Sequence, residues 1–284
     1  MPGLADGTLD DPVATARIRA VVQAISDLVG ARELERMRGL DLGAGAGAIS
    51  AELALRGAQM VAIEGRESNS AAIRALAAEA GVGDRVEVMT ADVRRLDWGS
   101  LGSFDVVACS GLLYHLELDD VVDLIAAVRG ACSRLVVIDT EVAWAPVERR
   151  LSRGRPYAGH AFREHAPGST PSQRAAARKA SLDNEEAFWL TRTSLHALLH
   201  DAGFSSSLEL GAPGQPLRER RVTVVGLAGD QVRGLALGEP RGGLDPRPAE
   251  PPTGRVLRAH LLTRRAGAAV SRLRKRLTGS ARAR

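Results

Sequence analysis

Apolar positions recur with a helical period over residues 12–29, where Val13, Ala16, Ile18, Val21, Val22, Ile25, Leu28 and Val29 make one broad face. The spacing predicts a helix, with Asp10 and Asp11 as candidate caps. From residue 37 the pattern becomes an alternation of short apolar runs and amphipathic stretches. The runs predict strands at about 37–42, 59–63, 85–90, 104–109 and 134–139. The stretches between them predict helices at 47–57, 68–80 and 118–130. Strands alternating with helices imply a parallel sheet covered on both faces, with a ligand beyond the carboxyl ends of its strands. Residues 140–187 break the rhythm with Arg, Pro, Gly, His and isolated aromatics. A segment this long without periodicity is expected to be a lid or a flexible insertion. A helix follows at 191–202, with Thr191 as cap and Gly203 as stop, then strands at 205–210 and 220–228 that suggest a closing antiparallel hairpin.

The expected fold is therefore α/β and Rossmann-like: a mostly parallel sheet of about seven strands, helices on both faces, and a C-terminal antiparallel hairpin. The expected organisation is an N-terminal helical segment (1–34), one domain (35–237) with an insertion at 140–187, a Pro/Gly linker (238–254) and a basic tail (255–284). Residues 255–278 have Val256, Leu257, Leu261, Val270, Leu273 and Leu277 near helical spacing, as in a basic amphipathic helix.

Charge changes this picture. The net +4 hides a division, because residues 255–284 hold ten Arg or Lys and no acid, while residues 1–254 are net −6. Aromatics are 3% of the chain, so aliphatic residues must fill the core. Cys109 and Cys132, the only cysteines, sit in apolar surroundings and read as small buried hydrophobes. The six histidines lack metal-ligand spacing, so no required metal is expected. The start of the chain lacks a basic, apolar leader pattern and no stretch approaches membrane-spanning length, so a cytoplasmic location is expected.

The candidate chemistry lies at Leu40-Asp41-Leu42-Gly43-Ala44-Gly45-Ala46-Gly47-Ala48. Three glycines at alternate positions allow a sharp strand-to-helix turn and close approach of a ligand to the main chain. Glu64 ends the next apolar run, where a carboxylate can take both hydroxyls of a ribose. Gly43, Gly45 and Ala48 also fit the looser dinucleotide fingerprint, so the turn alone does not separate the two adenosine cofactors.

Asp41-x-Gly43-x-Gly45-x-Gly47 resembles motif I of the class I S-adenosylmethionine (SAM) methyltransferases, and Glu64 resembles their ribose acid. Arg85–Val93, ending in Asp92, and Phe104–Ser110 resemble their third and fourth strands in order and spacing. The resemblance implies SAM as cofactor. It implies Asp41 toward the methionine amino group, Asp92 and the Val93 N–H toward adenine, and Gly43, Ala44, Gly45, Gly47, Gly65, Ser110 and Gly111 as further cofactor contacts.

Ser110-Gly111-Leu112-Leu113-Tyr114-His115-Leu116 resembles a stretch of small-molecule methyltransferases and of enzymes that alkylate the wobble uridine of tRNA. His115 is the candidate general base, since its ordinary pKa lies near neutrality; packing on the cofactor is the alternative role. Tyr114, Asn184 and Trp189 are acceptor-pocket candidates by the same resemblance, with Glu141 and His160 as weaker ones. The expected reaction is methyl transfer to oxygen or nitrogen of a small-molecule acceptor. tRNA modification through the basic tail and a non-catalytic SAM-binding role are alternatives. The first helix and the insertion offer surface for a homodimer.

Overall fold

The computed structural model describes residues 12–144, 147–177, 179–210 and 220–229. The calls on Asp10 and Asp11, the linker and the basic tail lie outside the described residues.

The chain runs α1 (Pro12–Val29), α2 (Ala31–Leu34), β1 (Arg38–Leu42), α3 (Ala48–Ala54), β2 (Gln59–Glu64), α4 (Glu67–Glu79), β3 (Val86–Thr90), α5 (Trp98–Leu101), β4 (Phe104–Ser110), α6 (Leu118–Ala131) and β5 (Cys132–Glu141). It continues through β6 (Glu148–Ser152), β7 (Arg155–Arg163), α7 (Pro171–Ala176), β8 (Glu186–Leu190), α8 (Arg192–Asp201), β9 (Ser206–Leu210) and β10 (Arg221–Leu227). Seven strands form one sheet in the order β3-β2-β1-β4-β5-β10-β9. The first five are parallel, and β10 pairs antiparallel with both β5 and β9. This is the expected α/β architecture.

Period-two alternation sends side chains to two cores. Leu40, Leu42, Val61, Ile63, Val107, Cys109, Val136 and Ile138 pack toward α6 and α8. Met60, Ala62, Val106, Ala108, Leu135 and Val137 pack toward α1, α3 and α4. Both cysteines are buried and free; burial pushes the Cys132 thiol up to about 11.

The chain leaves β1 outward to β2 and β3, then returns to β4 on the other side of β1. The loops after β1 and β4 therefore diverge and open a crevice at the carboxyl ends of these two strands.

The expectation of an irregular 140–187 segment is corrected. β6, β7 and β8 form a three-stranded antiparallel sheet, so the segment contains a hairpin, a capped helix and the pairing partner of β8. Its strand pattern was hard to read because polarity and burial are inverted at positions of β6 and at the end of β7, where Phe162 is exposed. Leu151 is exposed while its neighbour Ser152 is buried and donates to Asp119 on α6. Glu141 is the last residue of β5, paired with Arg221, and not a loop residue beyond it.

Candidate functional site: a cleft at the carboxyl ends of β1, β2 and β4

The β1–α3 turn is made by Gly43 (φ 65), Gly45 (φ 59) and Gly47 (φ 83), all left-handed. L side chains rarely adopt this conformation. The reasons differ by position. A Cβ on Gly47 would come within 2.7 Å of Ile73 Cγ2, so this glycine lets α4 pack against the turn. A Cβ on Gly45 would meet nothing within 4 Å, and this glycine lines the cleft described below. Asp41 lies beneath the turn, 1% exposed, and accepts from Ser50 Oγ at 2.8 Å. Burial pushes its carboxyl up to about 6 despite the Ser50 hydrogen bonds, and the nearby Glu64 charge adds to the rise.

Glu64 closes β2. Its Oε2 accepts from the Gly45 N–H and its Oε1 from the Arg66 N–H, each at 2.9 Å. Each oxygen retains a second lone-pair direction, so the carboxylate is held in place yet can still accept two hydroxyls. Asp92 caps the short turn Val93–Arg95 through the Arg94 N–H and also grips the Arg94 guanidinium. Burial alone would raise its pKa; the Arg94 hydrogen bonds and charge outweigh this and hold it below the usual carboxylate range. Arg94 reaches on to Asp183 at 2.6 Å.

Beyond β4, Gly111 (φ 80) donates its N–H to Asp139 O at 2.8 Å. The Asp139 carboxylate, 2% exposed, gathers Arg17, Arg221 and Thr223. The chain then turns through Leu113–His115. His115 Nδ1 stands 2.9 Å from Glu164 Oε2, and Asn184 Nδ2 donates to the His115 carbonyl at 2.9 Å. Trp189 Nε1 donates to the Tyr114 carbonyl, and Phe162 stacks on the Trp189 ring at 4.5 Å.

These loops enclose a cleft of about 180 Å³. Gly43, Gly45, Glu64, Gly65, Asp92, Val93, Gly111, His115 and Asn184 line it, with Arg66, Arg94, Ser181 and Leu182. An adenosine bearing an amino acid matches this donor set. The cleft offers carboxylates at Glu64 and Asp92, backbone N–H groups, and open space over Gly45.

A family described as "Methyltransferase domain" matches residues 40–134. This region of the chain is thus similar to the S-adenosylmethionine-dependent methyltransferases.

Among solved structures, the N-terminal domain of EvdMO1, crystallised in the presence of SAH (S-adenosylhomocysteine) and D-fucose, is 28% identical with a TM-score of 0.60. That match covers 78% of this chain and 85% of the other. Magnesium protoporphyrin IX methyltransferase from Synechocystis PCC 6803, with bound SAM, has 17% identity and a TM-score of 0.52, covering 79% and 86%. The glycopeptide N-methyltransferase MtfA, complexed with SAM, has 19% identity and a TM-score of 0.50, covering 76% and 94%. These last two show the shared fold alone. No curated protein matches the sequence significantly.

The methyltransferase cleft does not gather every residue singled out in the sequence. Asp41, Ala44, Gly47 and Ser110 sit beside or beneath it and do not line it. Ser110 Oγ points toward Asp139, 3.5 Å away. Tyr114, Glu141 and Trp189 line a separate, small cavity behind Leu113. His160 lies against Trp189, and its Nε2 is buried without a hydrogen-bond partner among the described residues. Glu141 is held by Arg221 at 3.2 Å. Among the described residues no group of His, Cys, Asp and Glu could hold a metal. None of their helices is long and apolar enough to cross a membrane.

Sequence reasoning missed Arg66, Arg94, Glu164 and Ser181. Arg66 and Arg94 each stand two residues after a named acid, a position that could have drawn attention to them. Glu164 and Ser181 come from the insertion and carry no local signal.

Proposed function

We propose that this methyltransferase moves the SAM methyl group to a hydroxyl or amine of a small-molecule acceptor, with a sugar hydroxyl as the first class to test. The carrying observation is the convergence on one cleft of the glycine turn, the Glu64 carboxylate and the His115 ring. The acceptor class is suggested by EvdMO1, whose domain was crystallised with SAH and D-fucose.

Bound in the cleft, SAM supplies a methyl group already activated on a sulfonium, and its transfer leaves neutral S-adenosylhomocysteine. In this reading Glu64 takes the ribose diol and Asp92 and the Val93 N–H take adenine. Asp41 attracts the methionine ammonium from below the turn. Gly43, Ala44, Gly45, Gly47, Gly65, Ser110 and Gly111 shape the backbone around the cofactor. The remaining work is alignment and exclusion of water. His115 receives the proton that an acceptor hydroxyl loses as its oxygen forms the new bond to carbon. Asn184 supports the His115 main chain, and Tyr114, Trp189, His160 and Glu141 shape the acceptor side.

Calorimetry with SAM and S-adenosylhomocysteine, followed by mass spectrometry of a panel of hexoses, deoxyhexoses and amines incubated with SAM, tests the reading. A methylated sugar supports it. Cofactor binding with methylation of amines alone moves the acceptor class. Failure to bind either cofactor refutes the proposal.

A further inference from the structure

Glu164 stands behind His115, outside the lining of the cleft, and the reaction above leaves it unused. Its side chain is 1% exposed, a costly place for a carboxylate without hydrogen-bond donors. It has two donors in reach. The Ser181 N–H is 2.7 Å from Oε2, and His115 Nδ1 is 2.9 Å from Oε2 and 3.0 Å from Oε1.

An ionised carboxylate only accepts, so the His115 nitrogen facing it must carry a proton. A neutral ring with Nδ1 protonated has its lone pair on Nε2, the nitrogen left for a ligand in the cleft. We propose that Glu164 is the positioning residue of this methyltransferase: it fixes the His115 tautomer and ring orientation, leaving Nε2 to take the acceptor proton. The inference rests on the reading of His115 as base.

The arrangement has a second consequence. Glu164 follows β7, far from His115 in the chain, and is itself held by Ser181. The Ser181 carbonyl in turn accepts from Arg66 at 3.1 Å and lies 3.1 Å from His165 Nε2. Arg66 begins two residues after Glu64. Ser181, the second donor to Glu164, is thus tied to the β2–α4 loop by Arg66. As proton transfer proceeds, the buried carboxylate stabilises the imidazolium that forms, with no reorganisation at the moment of reaction.

The test uses the full chain. Nitrogen-15 NMR of the histidine rings, with His115 assigned by comparison with His115→Phe, reads the tautomer directly and needs no acceptor. The wild type is expected to show Nδ1 protonated and Nε2 bare at mildly alkaline pH. Glu164→Gln keeps size and an acceptor for Ser181 but sets an amide donor near Nδ1. It is expected to lose the single Nδ1–H tautomer. With a working acceptor, kcat should fall at least about tenfold while SAM affinity changes less than about twofold. A wild-type ring protonated on Nε2 overturns the proposal, and this outcome stands even if the Gln variant fails to fold. A Gln variant with the wild-type tautomer and kcat overturns it too. An altered kcat with an unchanged tautomer reduces Glu164 to a structural latch and also overturns it. Full turnover in His115→Phe would instead refute His115 as base, a separate failure.

Discussion

Asp41→Asn separates what the buried acid does for stability from what it does for binding. A carboxyl whose pKa is higher in the folded state binds its proton more tightly there. Its contribution to stability is fully present below the ordinary value of 3.8 and is lost as pH rises through about 6. At neutral pH the buried charge costs the free protein about 3 kcal/mol, since burial raises this carboxyl from 3.8 to about 6. Asparagine cannot ionise, so it escapes that cost. It also brings a constant penalty, because its amide nitrogen lacks an acceptor in the place of the carboxylate oxygen. The constant penalty cancels when the mutant and wild type are compared across pH. Between about pH 5 and about pH 7.5 the mutant should gain about 1 kcal/mol on the wild type. Urea unfolding of both proteins at several pH values measures this difference. A stability difference that stays flat across the window, or moves the other way, would refute the assignment of a raised pKa to Asp41. The same variant should bind SAM more weakly, since it no longer faces the methionine ammonium with a charge.

Titration of the wild type should show the linked effect. SAM affinity, measured by calorimetry, is expected to fall up to about tenfold per unit as pH drops below about 6, because the free protein then holds the Asp41 proton against the cation; constant affinity across that range argues against the contact. Glu64→Gln keeps an acceptor for only one of the two backbone N–H groups and loses charge, and should weaken SAM binding by about tenfold in the same assay. Glu64→Ala should weaken it by about a hundredfold, and equal affinities in all three proteins would remove Glu64 as the ribose acid. Gly47→Ala adds strain at φ 83 and a clash with Ile73, an expected loss of about 2–4 kcal/mol in urea unfolding. Gly45→Ala should cost only about 1–2 kcal/mol in folding yet lower SAM affinity more than Gly47→Ala does, and the reverse ranking would contradict the open approach over Gly45.

The side of the cleft at the glycine turn and Glu64 was legible in the chain because its residues are local. Asp41, Gly43, Gly45 and Gly47 stand within one strand-turn-helix, and Glu64 ends the next strand. Their spacing follows from the geometry of one βαβ unit, so pattern and placement coincide. The parallel core was equally legible, since alternating burial on both faces writes apolar runs into the sequence.

The side around His115 was not. Tyr114 and His115 were visible as a motif, but the chain gave no sign that His115 meets Glu164, because the two are separated by 49 residues. The sheet β6-β7-β8 was hidden for a related reason. Its strands expose Leu151 and Phe162 and bury Ser152, so hydropathy alone points the wrong way until α6 and α8 are in place beneath it. Residue order along one turn is enough to set left-handed glycines beside the Glu64 carboxylate. Bringing a buried carboxylate onto a histidine requires the fold, because only long-range packing can hold such a pair away from water.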